Sequence, residues 1–173
     1  MSDIIENSFQ PRTKQRRIKK STKKPKKIRG PNEDTVQILF MKWIRENHPD
    51  LLMSADASGI KLTIGQAMKM KRSGTVNRGW PDTSIFEPND TYHGLLIELK
   101  RDGEKIYKVK SPNEFASPHL VEQAITMKRL NAKGYCATFA VGLEEAIKIV
   151  KSYLSNEEIP DKYNLEIKHR KDQ

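Results

Sequence analysis

Gly79-Trp80-Pro81-Asp82, followed by Gly94-Leu95-Leu96-Ile97-Glu98-Leu99-Lys100, is the stretch around which the chain is organised. Thr83-Ser84-Ile85-Phe86 suits an extended strand, and Glu87-Pro88-Asn89-Asp90 supplies turn residues. Leu95-Leu96-Ile97 is an apolar run of the kind that fills a buried strand. Strand side chains alternate between faces, so Glu98 and Lys100 point one way while Ile97 and Leu99 point the other. Antiparallel pairing of the two strands then sets Asp82 beside Glu98. Two carboxylates and an ammonium converge at one end of a small sheet.

Paired carboxylates form an oxygen-rich site for a hard cation such as Mg²⁺, which keeps several waters and accepts phosphate oxygens. Such a cation acts on a phosphodiester as a Lewis acid and lowers the pKa of bound water. An adjacent lysine can orient that water, help to deprotonate it, or offset developing negative charge. A Glu-x-Lys on an isolated surface hairpin would be merely solvated. Here the triplet ends an apolar strand and a Gly-x-Pro-Asp lies one strand upstream, which favours a site.

These residues resemble the Pro-Asp…(Asp/Glu)-x-Lys nuclease superfamily and, within it, the VRR-NUC family. The likeness runs from about Glu33 to Leu154. It takes in Glu33 and Gln37, the segment Gly74…Gly79-x-Pro81-Asp82, and Tyr92-His93-Gly94-Leu95…Ile97-Glu98-x-Lys100. Gln123, Leu130, Gly134-Tyr135 and Gly142…Glu145-Ala146 continue it. Between Lys100 and Gln123 the connection is longer than is usual in the family. The resemblance implies a restriction-endonuclease-like three-layer α/β/α domain with a mixed central sheet. It also implies a metal-dependent DNA endonuclease, with Asp82, Glu98 and the backbone carbonyl of Leu99 as metal ligands. Lys100 would be catalytic base or water positioner, and Glu33 and Gln123 would complete the site. The expected cofactor is Mg²⁺, with Mn²⁺ as a substitute because both accept oxygen ligands. The chain is similar to small stand-alone, phage-type members, an analogy that implies a homodimer acting on branched DNA such as junctions and flaps. RNA stays open as a substrate.

Length and charge set bounds on any reading. A chain of 173 residues can bury one proper core and hardly two. No apolar run approaches the roughly 18 residues that span a membrane. The N-terminal residues lack the basic and apolar regions of a signal peptide. A single cysteine, Cys136, excludes an internal disulfide and a cysteine-based zinc cluster. An intracellular setting follows as the simplest expectation: bacterial or host cytoplasm, or the nucleus in a eukaryotic host. His48, His93, His119 and His169 show no metal-ligand spacing and read as surface or loop residues.

Residues 11–30 carry eleven cations and no acid: Arg12, Lys14, Arg16, Arg17, Lys19, Lys20, Lys23, Lys24, Lys26, Lys27 and Arg29. Without this block and the acids Asp3 and Glu6, residues 31–173 hold only about +1 of the formal net charge of +10. Residues 1–30 therefore read as a disordered basic arm, 31–155 as the nuclease-like domain, and 156–173 as a loose polar tail. Arg16, Arg17, Lys19, Lys20, Lys23, Lys24, Lys26 and Lys27 are candidate phosphate contacts. Each phosphate neutralised steepens the salt dependence of binding by roughly 0.9 in log K per log salt. A solubilising or localising arm is the alternative, and Lys23–Lys27 also fits a nuclear import signal.

Asn32 is a fitting N-cap for a helix over residues 33–47, with Glu33 and Asp34 at its positive end. Val36, Leu39, Phe40, Trp43 and Ile44 recur at helical spacing, and Glu33 falls inside their stripe. Glu33 is thus a first-turn dipole partner, and its place in the stripe leaves two readings open: that role alone, or a carboxylate that also faces a metal site. Leu51–Met53 reads as a short strand and Lys61–Arg72 as a helix whose methionines serve packing. Lys69, Lys71, Arg72 and Arg78 surround the approach to Asp82, either as phosphate contacts or as solvated surface charge. Gly74 and Gly79 suit positive φ or close approach. Arg101–Phe115 reads as a loop or extended hairpin. Ser117-Pro118 opens a helix with Leu120, Val121, Ala124, Ile125 and Met127 inward, stopped by Gly134. Gln123 near its start is either an amide for a metal water or phosphate or an exposed helical glutamine, and without the resemblance the exposed reading is preferred. Tyr135–Val141 is a central strand and Leu143–Leu154 a covering helix.

Three rivals remain open at this level. One is a non-catalytic DNA-binding protein on a nuclease scaffold. Another is a basic-tailed adaptor whose folded part ignores DNA. The third is a restriction-type enzyme, which would give discrete fragments from linear duplex.

Overall fold

Leu95-Leu96-Ile97-Glu98-Leu99-Lys100 is buried at every position, its two charged residues included. The computed structural model describes residues 31–55, 63–73 and 79–168. Its elements in chain order are α1 (Glu33–Asn47), β1 (Met53–Ala55), α2 (Ile64–Arg72), β2 (Thr83–Ile85), β3 (Leu95–Lys100), α3 (Pro118–Asn131), β4 (Cys136–Val141) and α4 (Leu143–Leu154). The four strands form one mixed sheet in the order β1-β2-β3-β4. β1 and β2 pair antiparallel, as do β2 and β3, whereas β3 and β4 run parallel across the α3 crossover. No helix among the described residues is long and apolar enough to cross a membrane.

The register decides what meets at the sheet's end. Thr83 pairs with Ile97 and Ser84 with Leu96, so the next step of the same register sets Asp82 opposite Glu98. Along β3, Gly94 and Lys100 give their carbonyls to the amides of Cys136 and Gly142, on the β4 side. Backbone groups alternate direction in a strand, so residues 95, 97 and 99 face β2. The Leu99 amide follows this rule, donating to Asp82 Oδ2 at 2.9 Å.

Local signals explain the helices. Asn32 caps α1 by accepting from the Thr35 amide at 2.9 Å, and Glu33 and Asp34 complement the dipole in the first turn. Val36, Phe40 and Ile44 are buried along one stripe of α1. Ser117 caps α3, with Pro118 in its first turn. α1 and α4 contact each other and both contact β3, while α3 and α4 each pack against β4. Cys136 lies wholly inside, and burial pushes its thiol up to about 12, so it is a core residue rather than a reactive one.

Several expectations change. Val121 and Ile125 are exposed, and the core-facing stripe of α3 is Leu120, Gln123, Ala124, Met127, Leu130 and Asn131. Two polar residues hold inward places because partners await them. Asn131 bonds both backbone groups of Ala137 and the carbonyl of Leu165. Ile64 and Met68 of α2 are exposed, so Met68 is not a packing residue. The first strand starts at Met53, leaving Leu51 and Leu52 outside it.

The largest correction concerns residues 156–168 of the expected loose tail 156–173; residues 169–173 lie outside the described residues. Ile159, Tyr163, Leu165 and Ile167 are buried in the main core. The described part of the segment has no strand or helix, and Asp161 accepts from the amides of Leu165, Glu166 and Ile167. The Arg101–Phe115 connection is a hairpin bridged at Tyr107 and Phe115, with Ile106 buried and the Tyr107 hydroxyl donating to the Tyr163 carbonyl. The fold thus continues to residue 168. Leu165→Ala should cost about 2–5 kcal/mol, the range for a fully buried large-to-small change. Thermal denaturation checks this; a melting temperature equal to wild type would contradict a packed segment.

Candidate active site

Lys100 sits at the end of β3 with its side chain 5% exposed. Its Nζ lies 2.6 Å from Glu98 Oε1 and 2.7 Å from Glu33 Oε1. Glu98 and Lys100 meet because they are two residues apart on one strand face. Glu33 arrives from the first turn of α1, and its side chain is 46% exposed. Asp82 comes from the residue preceding β2. The carboxylates of Glu33, Asp82 and Glu98 present oxygen atoms all within 4.8 Å of one another. That is a spacing a single cation can bridge.

The fourth contributor is Gln123, 3% exposed, whose Nε2 donates to Glu98 Oε1. The same nitrogen lies 3.0 Å from His119 Nε2. Glu98 Oε1 is therefore fully engaged, whereas Glu98 Oε2 is buried without a hydrogen-bond partner among the described residues, as is Gln123 Oε1. A buried carboxylate oxygen left in that condition is costly unless a proton or a cation fills it.

Electrostatics point the same way. Burial first, then the Asp82 carboxylate, push the Glu98 pKa up to about 8, against the opposing pull of Lys100. Burial works against the Lys100 ammonium, but the Glu98 and Glu33 carboxylates outweigh it and hold its pKa above the ordinary lysine value. Lys100 thus carries its proton at neutral pH. A divalent cation beside Asp82 and Glu98 would offset the repulsion that disfavours the Glu98 anion. The donor set suits it: all-oxygen, anionic, and open on the Glu33 side.

Backbone geometry adds a donor. Continuing the β2–β3 register past Thr83 brings Pro81 opposite Leu99. Proline has no N–H, so the ladder supplies no donor to the Leu99 carbonyl at that step. That carbonyl faces β2, the side from which Asp82 reaches the Leu99 amide. Upstream, Gly79 has φ +74°, and a Cβ there would meet the Glu122 carbonyl at 2.8 Å. Only glycine lets this segment lie against α3 beside Gln123.

Of the residues singled out in the sequence, Glu33, Asp82, Glu98, Lys100 and Gln123 converge, with Leu99 between them. Lys69 and Arg72 are exposed on α2. Arg78, Gly74, the side chain of Lys71 and arm residues 16–27 lie outside the described residues. His119 is exposed, as expected of a surface histidine, and its ring also reaches Gln123; the signal for that contact was their spacing of four on one helix.

A mixed sheet with flanking helices and an acidic cluster at the end of its central strand is the architecture of the restriction-endonuclease-like nucleases. Compared with solved structures, the chain is similar to a VRR_NUC domain protein, with a TM-score of 0.55 and 27% identity. The match covers 77% of this chain and 96% of that one. No protein-family profile and no curated protein matches the chain. The resemblance read from the sequence therefore holds in three dimensions: the chain has the VRR-NUC fold of the Pro-Asp…(Asp/Glu)-x-Lys nucleases.

Glu98 also makes stability depend on pH in a defined direction. Its folded pKa, about 8, exceeds the ordinary 4.5, so the folded state binds the proton more tightly. That contribution is complete below about 4.5 and is lost as pH rises through about 8. The metal-free protein should lose melting temperature across this window, and Glu98→Gln should lose less. Mg²⁺ should stabilise wild type more at the upper end than at the lower. Parallel pH profiles for wild type and Glu98→Gln would refute the shift.

Proposed function

We propose that this chain is a metal-dependent endonuclease that hydrolyses DNA phosphodiester bonds, in structured or branched DNA. The observation that carries the reading is the set of three carboxylates with oxygens within 4.8 Å of one another, two of them paired with a buried lysine, in a nuclease-family fold. Asp82, Glu98 and the Leu99 carbonyl would hold Mg²⁺, with Mn²⁺ as a substitute. Bound there, the cation supplies Lewis acidity toward a phosphate oxygen and lowers the pKa of its water.

The chain's own groups do the rest. Water attacks phosphorus in line with the leaving 3′ or 5′ oxygen, so one P–O bond forms as the other breaks. The attacking water's proton passes to solvent, and the leaving oxygen takes a proton from solvent water. Lys100, held as an ammonium, orients the attacking water and offsets the negative charge that builds on the phosphate oxygens. It does not act as the base while it keeps its proton. Glu33 fixes the Lys100 ammonium from the open side. Gln123 fixes the rotamer of Glu98, and its unspent amide oxygen can accept from water in the site. The basic arm supplies sequence-independent attachment to the phosphate backbone.

Asp82→Asn keeps the side-chain shape while removing a charge. Cleavage of labelled duplex, flap, single-stranded and four-way-junction DNA in Mg²⁺ should vanish in that variant and in EDTA. Lys100→Gln should lose about 10²–10³-fold in kcat, the scale of one charge-stabilising group. Each variant is to be checked by melting, because Lys100 and Glu98 are buried together. Wild type that binds all four substrates yet cuts none with Mg²⁺ or Mn²⁺ would sink the enzyme reading. Pro81→Ala restores an N–H opposite Leu99. It should weaken Mg²⁺ affinity by about 10-fold, as loss of a supporting group around a metal site does; calorimetric titration reads this directly.

A further inference from the structure

Trp80 has no part in the cation site, yet its place in the chain is tightly constrained. It is 40% exposed and makes no ring contact among the described residues, while the other tryptophan, Trp43, packs edge-on against His48. Its neighbours leave its backbone little freedom. Gly79 is pressed against the Glu122 carbonyl and the Gln123 amide, and Pro81 is buried with φ fixed by its ring. Two residues further on lies Asp82, so the Trp80 backbone is at most about 7 Å from that of a candidate cation ligand. Exposing a large rigid aromatic there costs apolar burial.

An indole offers a flat π-face that stacks on any nucleobase, provided that base is not already stacked and paired in a duplex. A base within a few ångströms of the cleaved phosphate belongs to an adjoining nucleotide. We propose that Trp80 is a stacking platform for an unpaired base next to the scissile phosphodiester, so that the site favours strands with unpaired nucleotides over continuous duplex. This rests on the nuclease reading above and narrows its substrate class. The stiffness of Gly79-Trp80-Pro81 matters to it, because a platform held in place before binding loses little conformational freedom on binding.

The test uses the full chain with Ca²⁺ in place of Mg²⁺, at raised salt where contacts of the arm are weakened. Affinities are measured for an oligodeoxythymidylate, a flap and a blunt duplex, with wild type, Trp80→Ala and Trp80→Phe. In a Trp43→Phe background Trp80 is the sole tryptophan, since the chain has two, and its emission reports stacking directly. Trp80→Ala should weaken single-strand and flap binding about 5- to 150-fold, the alanine-substitution range for one stacked base. It should also bring the preference over duplex close to one, while Trp80→Phe, which keeps a π-face, retains most of the affinity. Oligodeoxythymidylate should quench the Trp80 emission. Absence of quenching, with Trp80→Ala keeping the wild-type preference, would overturn the stacking role even if the enzyme cuts DNA. Quenching and loss of preference without cleavage in Mg²⁺ or Mn²⁺ would uphold stacking and overturn the nuclease reading instead.

Discussion

The Lys100 ammonium is enclosed by protein and touched by two carboxylates, one of them equally buried. Taking such charges out of water costs several kcal/mol per ion, and their attraction seldom returns more than that. The pair is therefore a poor device for stability, and much of the molecule is arranged to tolerate it. Helix α1 brings Glu33 to the ammonium, α3 brings Gln123 to Glu98, and the turn before β2 brings Asp82 to the same end. Removing any of these partners would leave a charge or a donor stranded. A cluster that costs folding energy and still leaves one carboxylate oxygen without a partner makes physical sense as a place for chemistry.

The end of a strand suits such a site. Inside a sheet, backbone donors and acceptors are consumed by the ladder, whereas at the strand's end they become available to ligands. Here the release is assisted by residue choice. Pro81 withholds the donor that the Leu99 carbonyl would otherwise meet, and the Asp82 carboxylate takes the Leu99 amide. Gly79 and Gly142, both at positive φ, let the chain turn close to this end. The same fold is seen in a VRR_NUC domain protein only 27% identical.

Away from the site, stability rests on polar side chains that replace a missing ladder. Residues 156–168, after α4, form no regular element, yet four of their apolar residues enter the core. Three of their amides are taken by Asp161 and one of their carbonyls by Asn131. The hairpin after Lys100 is tied to the same segment through Tyr107. Parts of the chain far apart in sequence thus hold one flank of the sheet together.

The sequence by itself determined the elements whose causes are local. Asn32 and Ser117 cap helices through hydrogen bonds to residues three positions on, and the alternation in Leu95–Lys100 places Glu98 and Lys100 on one face. The pairing of the Asp82 strand with that segment followed from a short turn between two extended runs. Tertiary structure alone decided which residues fill the interior stripe of α3. Gln123 and Asn131 displace Val121 and Ile125 from the interior stripe of α3 because their partners, Glu98, Ala137 and Leu165, are distant in sequence. The burial of residues 159–167 was equally illegible, since an irregular segment has no hydrophobic period to read. His119 joined the site for the same reason: its neighbour Gln123 was visible, but the carboxylate that orders that neighbour belongs to another strand.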